Sequence, residues 1–233
     1  MMLGGFQKFT MVDYPGKLAA TVFTVGCSFR CPFCHNPELV SNIQYPISDA
    51  AEDDFFEFLK IRKGKLEAVC ITGGEPTIQP DIIPFIEKIK AMGFLVKLDS
   101  NGTRPDVLRK IIDKKIVDYI AMDIKNAPEK YSETTGVVAD IERVKLSVDL
   151  IMNSGIDYEF RTTVVPGLHE EKDFDKIAVW IDGAKKYYLQ EYRDFKILDP
   201  KLKKKTQGKT LDLEKIKNKI QKHFGKMEVR RYH

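Results

Sequence analysis

Three cysteines fall within one short run, CSFRCPFCHN, as Cys27, Cys31 and Cys34, spaced Cys-x3-Cys-x2-Cys. A structural zinc site normally takes four ligands in closely spaced pairs, and catalytic zinc draws on histidine or carboxylates. Three thiolates in one tight loop suit a different task. They match three irons of a cubane iron–sulfur cluster, which leaves the fourth iron open to a non-protein ligand. Zinc completed by His35 is the competing reading. It is weakened because His35 directly follows Cys34, and adjacent side chains seldom converge on one tetrahedral ion. Incidental buried thiols are a third reading, opposed by Arg30, His35 and Asn36, which make the run a poor core segment.

Further residues able to do chemistry stand where apolar runs end. One run closes with Ile71-Thr72-Gly73-Gly74-Glu75-Pro76, and the next with Asp99-Ser100-Asn101-Gly102. A later run ends in Asp123-Ile124-Lys125, and another carries Arg161 before TTVVPG. Glycines let a backbone approach a ligand closely, and carbonyls at a strand end accept hydrogen bonds from an ammonium group. Lys125 and Arg161 have the charge to pair with a carboxylate, Arg161 in bidentate fashion. Asp123 is an acceptor for ribose hydroxyls, and Asp99 with Asp123 has the charge to share a small cation. Each segment taken alone is also readable as an ordinary turn or strand terminus.

These residues need a scaffold that gathers strand ends. Short β-branched or aromatic runs predict strands at Ala19–Val25, Glu67–Thr72, Phe94–Asp99, Val117–Ile124, Tyr158–Val164 and, more weakly, Tyr187–Tyr192. Helical patterns lie between them. The first follows Ser48, with Asp49 and Glu52 in its opening turn, and reaches Gly64. Others span about Asp81–Met92, begin at Pro105, span Ile141–Asn153, and follow His169 up to Gly183. Strands alternating with helices predict an α/β fold with a parallel sheet and right-handed crossovers. A closed eight-unit barrel takes ~250 residues. The chain has 233 and spends part of its first unit on the cysteine loop. The expected fold is therefore an open, partial (β/α)6 TIM-like barrel with outer helices. Catalytic side chains gather at the C-terminal ends of such strands.

The net charge of +4 hides a division. Residues 1–200 hold 26 Lys and Arg against 31 Asp and Glu; residues 201–233 hold 12 against 3. The expected organisation is a barrel over 1–200 and a basic extension over 201–233. Leu211, Leu213, Ile216, Ile220 and Phe224 in that extension allow an amphipathic helix packed on the barrel with its lysines in solvent; docking of an acidic protein partner is the competing reading. Sparse aromatic interleaving argues against a nucleic-acid partner. The apolar runs are too short to span a membrane, and the N-terminus lacks an extended apolar leader, so a cytoplasmic protein is expected. Cys70 is expected to be a small buried thiol, which leaves no cysteines for an auxiliary cluster.

The loop from Cys27 to Cys34, with Phe33 at its aromatic position, resembles the signature of the radical S-adenosylmethionine (radical SAM) superfamily. Segments FQK (Phe6–Lys8), DYPGK (Asp13–Lys17), CSFRCPFCHNPELV, TGGEPT, DSNG, AMDIK and RTTVVPG narrow the likeness to activating proteins of glycyl-radical enzymes. They resemble the group that activates anaerobic ribonucleoside-triphosphate reductase, with pyruvate formate-lyase activating enzyme as a relative. The resemblance covers about residues 5–170. It implies a [4Fe-4S] cluster on Cys27, Cys31 and Cys34, with S-adenosylmethionine chelating the open iron. Reduction by one electron then yields methionine and a 5′-deoxyadenosyl radical, which abstracts hydrogen from a glycine α-carbon of a partner protein. The implied cofactor-binding set is Phe33, Gly73, Gly74, Glu75, Asp99, Ser100, Asn101, Asp123, Lys125, Arg161 and Thr163, with the GGE segment receiving the cofactor amino group. Gln190 is a weaker candidate. The implied partners are a glycyl-radical protein, here anaerobic ribonucleotide reductase, and a one-electron donor such as flavodoxin or ferredoxin. A small-molecule radical SAM enzyme and a non-catalytic iron–sulfur or zinc module are the alternatives.

Overall fold

The computed structural model describes residues 1–40 and 50–231. Eight strands form one sheet in sequence order: β1 (Leu3–Thr10), β2 (Ala19–Thr24), β3 (Ala68–Gly73), β4 (Leu95–Ser100), β5 (Tyr119–Asp123), β6 (Asp157–Val164), β7 (Lys186–Glu191) and β8 (Lys226–Arg230). β1 runs antiparallel to β2, and every later pair is parallel. The sheet does not close, because β1 and β8 are its edges. This is the open partial barrel expected from the alternation, widened by one strand at each edge. The helices are α1 (Pro37–Val40), α2 (Ala50–Arg62), α3 (Ile82–Ala91), α4 (Pro105–Asp113), α5 (Tyr131–Thr135), α6 (Ile141–Met152), α7 (Glu171–Trp180), α8 (Leu202–Thr206) and α9 (Leu213–Ile220). Ser48 and Asp49, read as the start of the first helix, lie outside the described residues.

Side chains alternate across each strand, so one face of the sheet serves the helices and the other faces the barrel interior. The helix-facing positions, among them Ile71, Leu98, Met122 and Phe160, are fully buried in the main core with Phe55, Ile86, Leu108 and Phe174. A smaller cluster of Tyr14, Ala19, Ala68, Tyr119 and Ala121 closes the N-terminal end of the interior. Tyr14 comes from the β1–β2 loop, and its ring lies 5.8 Å from that of Tyr119. Asp13 accepts a 2.5 Å hydrogen bond from Thr21 Oγ1, which fastens this plug. With the lower end filled, the C-terminal strand ends are left to form the site.

Two strands escaped the sequence reading. β1 is buried only at its two ends, so it shows no alternation. β8 is a five-residue strand inside the basic segment, where charge masks Met227 and Val229. The segment from 201 onward thus supplies the expected helix, α9, and also the last parallel strand beside β7. Asp212 caps α9 by accepting from the Lys215 amide at 3.0 Å, while Leu213, Ile216 and Ile220 are its buried face.

Candidate active site

A cavity of about 200 Å³ opens at the C-terminal ends of the strands. Its wall takes Cys27, Cys31, Phe33 and Cys34 from the loop after β2, and Gly73, Gly74 and Glu75 from the end of β3. Asp99, Ser100 and Asn101 follow β4, Asp123 and Lys125 follow β5, and Arg161 and Thr163 belong to β6. The fold therefore brings every residue of the expected cysteine and cofactor sets to one cavity. Gln190 does not line it. Phe29, His35, Asn36, Val40, Thr72 and Pro76 line it without having been singled out for it. All six lie inside the quoted segments CSFRCPFCHNPELV and TGGEPT. Val40, which closes the first of them, is delivered by α1.

The cysteine loop is tied down mainly through backbone. Gly26 donates to Leu39 O at 2.6 Å, and Glu75 N donates to Gly26 O at 2.8 Å. Arg30 N donates to Thr135 O at 2.8 Å, while Leu198 and Asp199 donate to Cys34 O and Pro32 O at 3.1 and 3.0 Å. The end of β3 crosses the start of this loop closely. A Cβ on Gly74 would collide with the Gly26 carbonyl, and one on Gly73 (φ +117°) with the Thr24 backbone. Gly74→Ala is expected to push the two strand ends apart and cut iron incorporation at least about tenfold. The expected loss of stability is roughly 1–3 kcal/mol, read by thermal melts alongside iron content.

Glu75 is almost fully buried and its carboxylate is engaged within the protein. Oε1 accepts from Thr77 N at 3.1 Å, from Thr77 Oγ1, and from Ser100 Oγ at 2.9 Å; Oε2 accepts from Asn101 N at 2.6 Å. Burial pushes its pKa upward against these donors. Glu75 is thus a brace joining the end of β3 to the end of β4. Asn101 extends the brace to the cysteine loop, donating from Nδ2 to Ser28 Oγ at 2.9 Å and approaching Cys27 Sγ at 3.7 Å.

Along the interior face runs a chain of alternating charges. Lys97, only 2% exposed, pairs with Asp99 Oδ1. Arg161 donates from Nη1 and Nη2 to Asp99 Oδ2 at 3.2 Å, and from Nε to Asp123 Oδ1 at 2.9 Å. Lys125 donates to Asp123 Oδ2 at 2.9 Å. A guanidinium therefore stands between the two aspartates, in the place expected for a small cation. Burial works against both carboxyls, but Arg161 with Lys97 or Lys125 holds Asp99 and Asp123 below the usual carboxylate range. Burial likewise works against the Lys125 ammonium, and Asp123 outweighs it, raising that pKa. Three cations meet two carboxylates, so the ladder carries one surplus positive charge beside the cavity. Cys70 is buried as expected, with its Sγ 3.6 Å from Lys97 Nζ.

All three loop cysteines are free thiols. Burial pushes Cys27 up to about 11 and Cys31 up to about 12, and raises Cys34 as well. Among the described residues, no three His, Cys, Asp or Glu side chains are set to hold a single metal ion. The thiols share the wall of a cavity, an arrangement that suits a polynuclear group with three thiolate ligands. The donor set fits a [4Fe-4S] cluster.

Residues 21–181, well over half of the chain, match the Radical SAM superfamily. The chain belongs to the radical SAM superfamily. A Methanocaldococcus jannaschii protein named as a glycyl-radical enzyme activating enzyme is 31% identical over 98% of this radical SAM chain and 95% of its own. Pyruvate formate-lyase-activating enzyme of Listeria monocytogenes is 37% identical over 53% of each protein, so the chain spans about half of that relative's length. Among solved structures, Streptococcus suis SuiB bound to S-adenosylmethionine has a TM-score of 0.63 at 14% identity, over 89% of this chain and 48% of that one. Coproporphyrinogen III oxidase of Escherichia coli has a TM-score of 0.56 at 14% identity, over 91% and 52%. Those two likenesses show the shared fold. The radical SAM chain is an enzyme related to glycyl-radical enzyme activating enzymes, with the [4Fe-4S] cluster and S-adenosylmethionine of its superfamily as cofactors. Among the described residues, no helix is long and apolar enough to cross a membrane.

Proposed function

We propose that this enzyme installs a glycyl radical on a partner protein by removing one hydrogen atom from a glycine α-carbon, and that the partner is anaerobic ribonucleoside-triphosphate reductase. The observation that carries the reading is the meeting of three cysteine thiols with the polar ends of β3 to β6 in one cavity. The 31% identity to a glycyl-radical enzyme activating enzyme over nearly the whole chain supports the class of partner. The motifs DYPGK, DSNG and AMDIK support the choice of reductase.

When bound, the cluster and S-adenosylmethionine supply a reactive carbon radical, chemistry that no side chain provides. The work of this chain is then to bind, orient and shield. Cys27, Cys31 and Cys34 hold the cluster as thiolates, and Asn101 orients Cys27. The backbone carbonyls of Gly73 and Gly74 receive the cofactor amino group. Lys125, the cation at the cavity end of the net positive ladder, receives its carboxylate. Asp123, whose two oxygens accept from Arg161 and Lys125, keeps spare lone pairs to accept from the ribose. Arg161 is committed to Asp99 and Asp123, and its part is to set the spacing of β4, β5 and β6. Each member of this ladder is held firmly in its charged form, which suits orientation and not proton exchange near neutral pH.

The test is anaerobic reconstitution, reduction and addition of S-adenosylmethionine with the reductase protein. A glycine-centred electron paramagnetic resonance signal on the reductase, with 5′-deoxyadenosine in stoichiometric amount, is expected. Abundant 5′-deoxyadenosine without that signal on any glycyl-radical protein, stimulated by a small molecule instead, would overturn the assignment.

A further inference from the structure

The basic excess of residues 201–233 divides into two parts. Beyond Asp212 every Lys and Arg but Lys222 is paired among the described residues: Lys215 with Glu171 and Lys219 with Asp175 on α7, Arg230 with the buried Glu159, Lys217 and Arg231 with Glu214, and Lys226 with Glu228. These pairs accompany the seating of α9 and β8 against the sheet. Lys201, Lys203, Lys204, Lys205 and Lys209 differ. All five are exposed, and none of their side chains has an ion-pair partner among the described residues. Five unpaired cations over nine residues repel one another and attract an opposite charge.

Their position is fixed from two sides. Just before α8, Leu198 and Asp199 donate to the carbonyls of Cys34 and Pro32, inside the cysteine loop. At the far end the Lys205 carbonyl lies against Gly167 (φ +89°), where any Cβ would come within 2.7 Å of the oxygen. His35 Nε2 also hydrogen-bonds Arg193 O at 2.9 Å. The lysines therefore edge the barrel rim on the outer side of the cysteine loop. A groove of about 840 Å³ runs along them, walled by Val164, Glu191, Phe195, Lys203, Lys204 and Lys209. It shares no lining residue with the active-site cavity.

We propose that this lysine-edged rim docks an acidic one-electron carrier protein, which reduces the iron–sulfur group held by Cys27, Cys31 and Cys34. The inference rests on the cluster assigned to those cysteines. Redox encounters use small interfaces steered by complementary charge, and the five exposed, unpaired lysines supply that charge here. A substrate polypeptide must instead reach the separate cavity, which a carrier seated here leaves uncovered. One electron leaves the carrier's reduced cofactor and the cluster takes it up; no bond forms or breaks, and no proton need cross.

The test compares the wild-type protein with a Lys203→Glu/Lys204→Glu/Lys205→Glu variant, using flavodoxin as the acidic carrier. Binding of oxidised flavodoxin is measured at low and high salt, with and without the cluster loaded. The variant is expected to bind at least about tenfold more weakly at low salt, with its salt dependence flattened. S-adenosylmethionine cleavage driven by reduced flavodoxin falls in step, while cleavage driven by dithionite stays within about twofold. The corresponding Lys→Gln set gives an intermediate loss. Equal binding by wild type and variant, or equal losses with both reductants, overturns the proposal. So does unchanged flavodoxin binding with lost binding of the glycyl-radical protein, which would assign the face to the substrate. If the wild type cleaves nothing even with dithionite, the cluster reading itself falls and takes this proposal with it.

Discussion

Cys31→Ala is expected to take up no cluster iron and to produce no 5′-deoxyadenosine, while folding as the wild type does. Cys31 is 7% exposed, the most deeply placed of the three loop thiols, and lies between the other two in sequence. Two thiolates cannot hold three irons, and no other cysteine lines the cavity. Cys70 is separately buried beside Lys97 and Asp99. Removing one small side chain costs about 1 kcal/mol in the metal-free protein, within the ordinary range for a single substitution. Iron and sulfide per chain, read beside a thermal melt, separate lost ligation from lost folding. A variant that bound a full complement of iron would remove Cys31 from the ligand set.

Arg161→Met carries the second large effect, and it falls mainly on stability. Arg161 is 13% exposed and faces two carboxylates that depend on it. Removing one partner of a buried ion pair costs roughly 3–5 kcal/mol, because the other charge is left uncompensated. The sign of the pH dependence follows from the carboxyls. In the folded wild type, Asp99 and Asp123 lie below the unfolded value of ~3.9. Their contribution is complete above that value and is lost as pH falls through the depressed folded values. Without Arg161, burial is opposed by Lys97 and the Thr72 hydroxyl at Asp99 and by Lys125 at Asp123, so both folded values rise and the loss begins at higher pH. Urea melts at pH 7 and pH 5 are expected to coincide more closely for the wild type than for the variant. Arg161→Lys restores part of the stability but not the two-sided geometry. Affinity for S-adenosylmethionine should fall with Arg161→Met through displaced strands, and unchanged affinity would show that Arg161 does not shape the cavity.

The elements legible in sequence were those whose chemistry is local. Strands β2 to β7 are apolar runs bounded by turn residues, and each of β3 to β6 brings polar residues to the cavity at or just beyond its C-terminal end. β1 and β8 were hidden because an edge strand buries few side chains and shows little alternation. Within the site, residue identity was readable and partnership was not. Asp123 and Arg161 are register partners on β5 and β6, whereas Asp99 lies opposite Ala121. Only the folded sheet sets one guanidinium between Asp99 and Asp123. Lys97 carried a usable signal, since it stands two residues before Asp99 on the same face of an apolar strand. Glu75 gave none for its bracing role, which depends on Ser100 and Asn101 arriving from the neighbouring strand. The charge of the C-terminal segment was legible as a total, but its division into paired and unpaired halves needed the position of α7.

The most direct test of the central claim follows one hydrogen atom. The reductase is prepared with glycine deuterated at the α-carbon, and the reconstituted enzyme is given S-adenosylmethionine and an electron source. Mass spectrometry of the 5′-deoxyadenosine is expected to show one deuterium per molecule, in step with the glycyl radical formed. 5′-Deoxyadenosine that carries only protium while the reductase gains a radical would contradict direct abstraction from glycine by this enzyme.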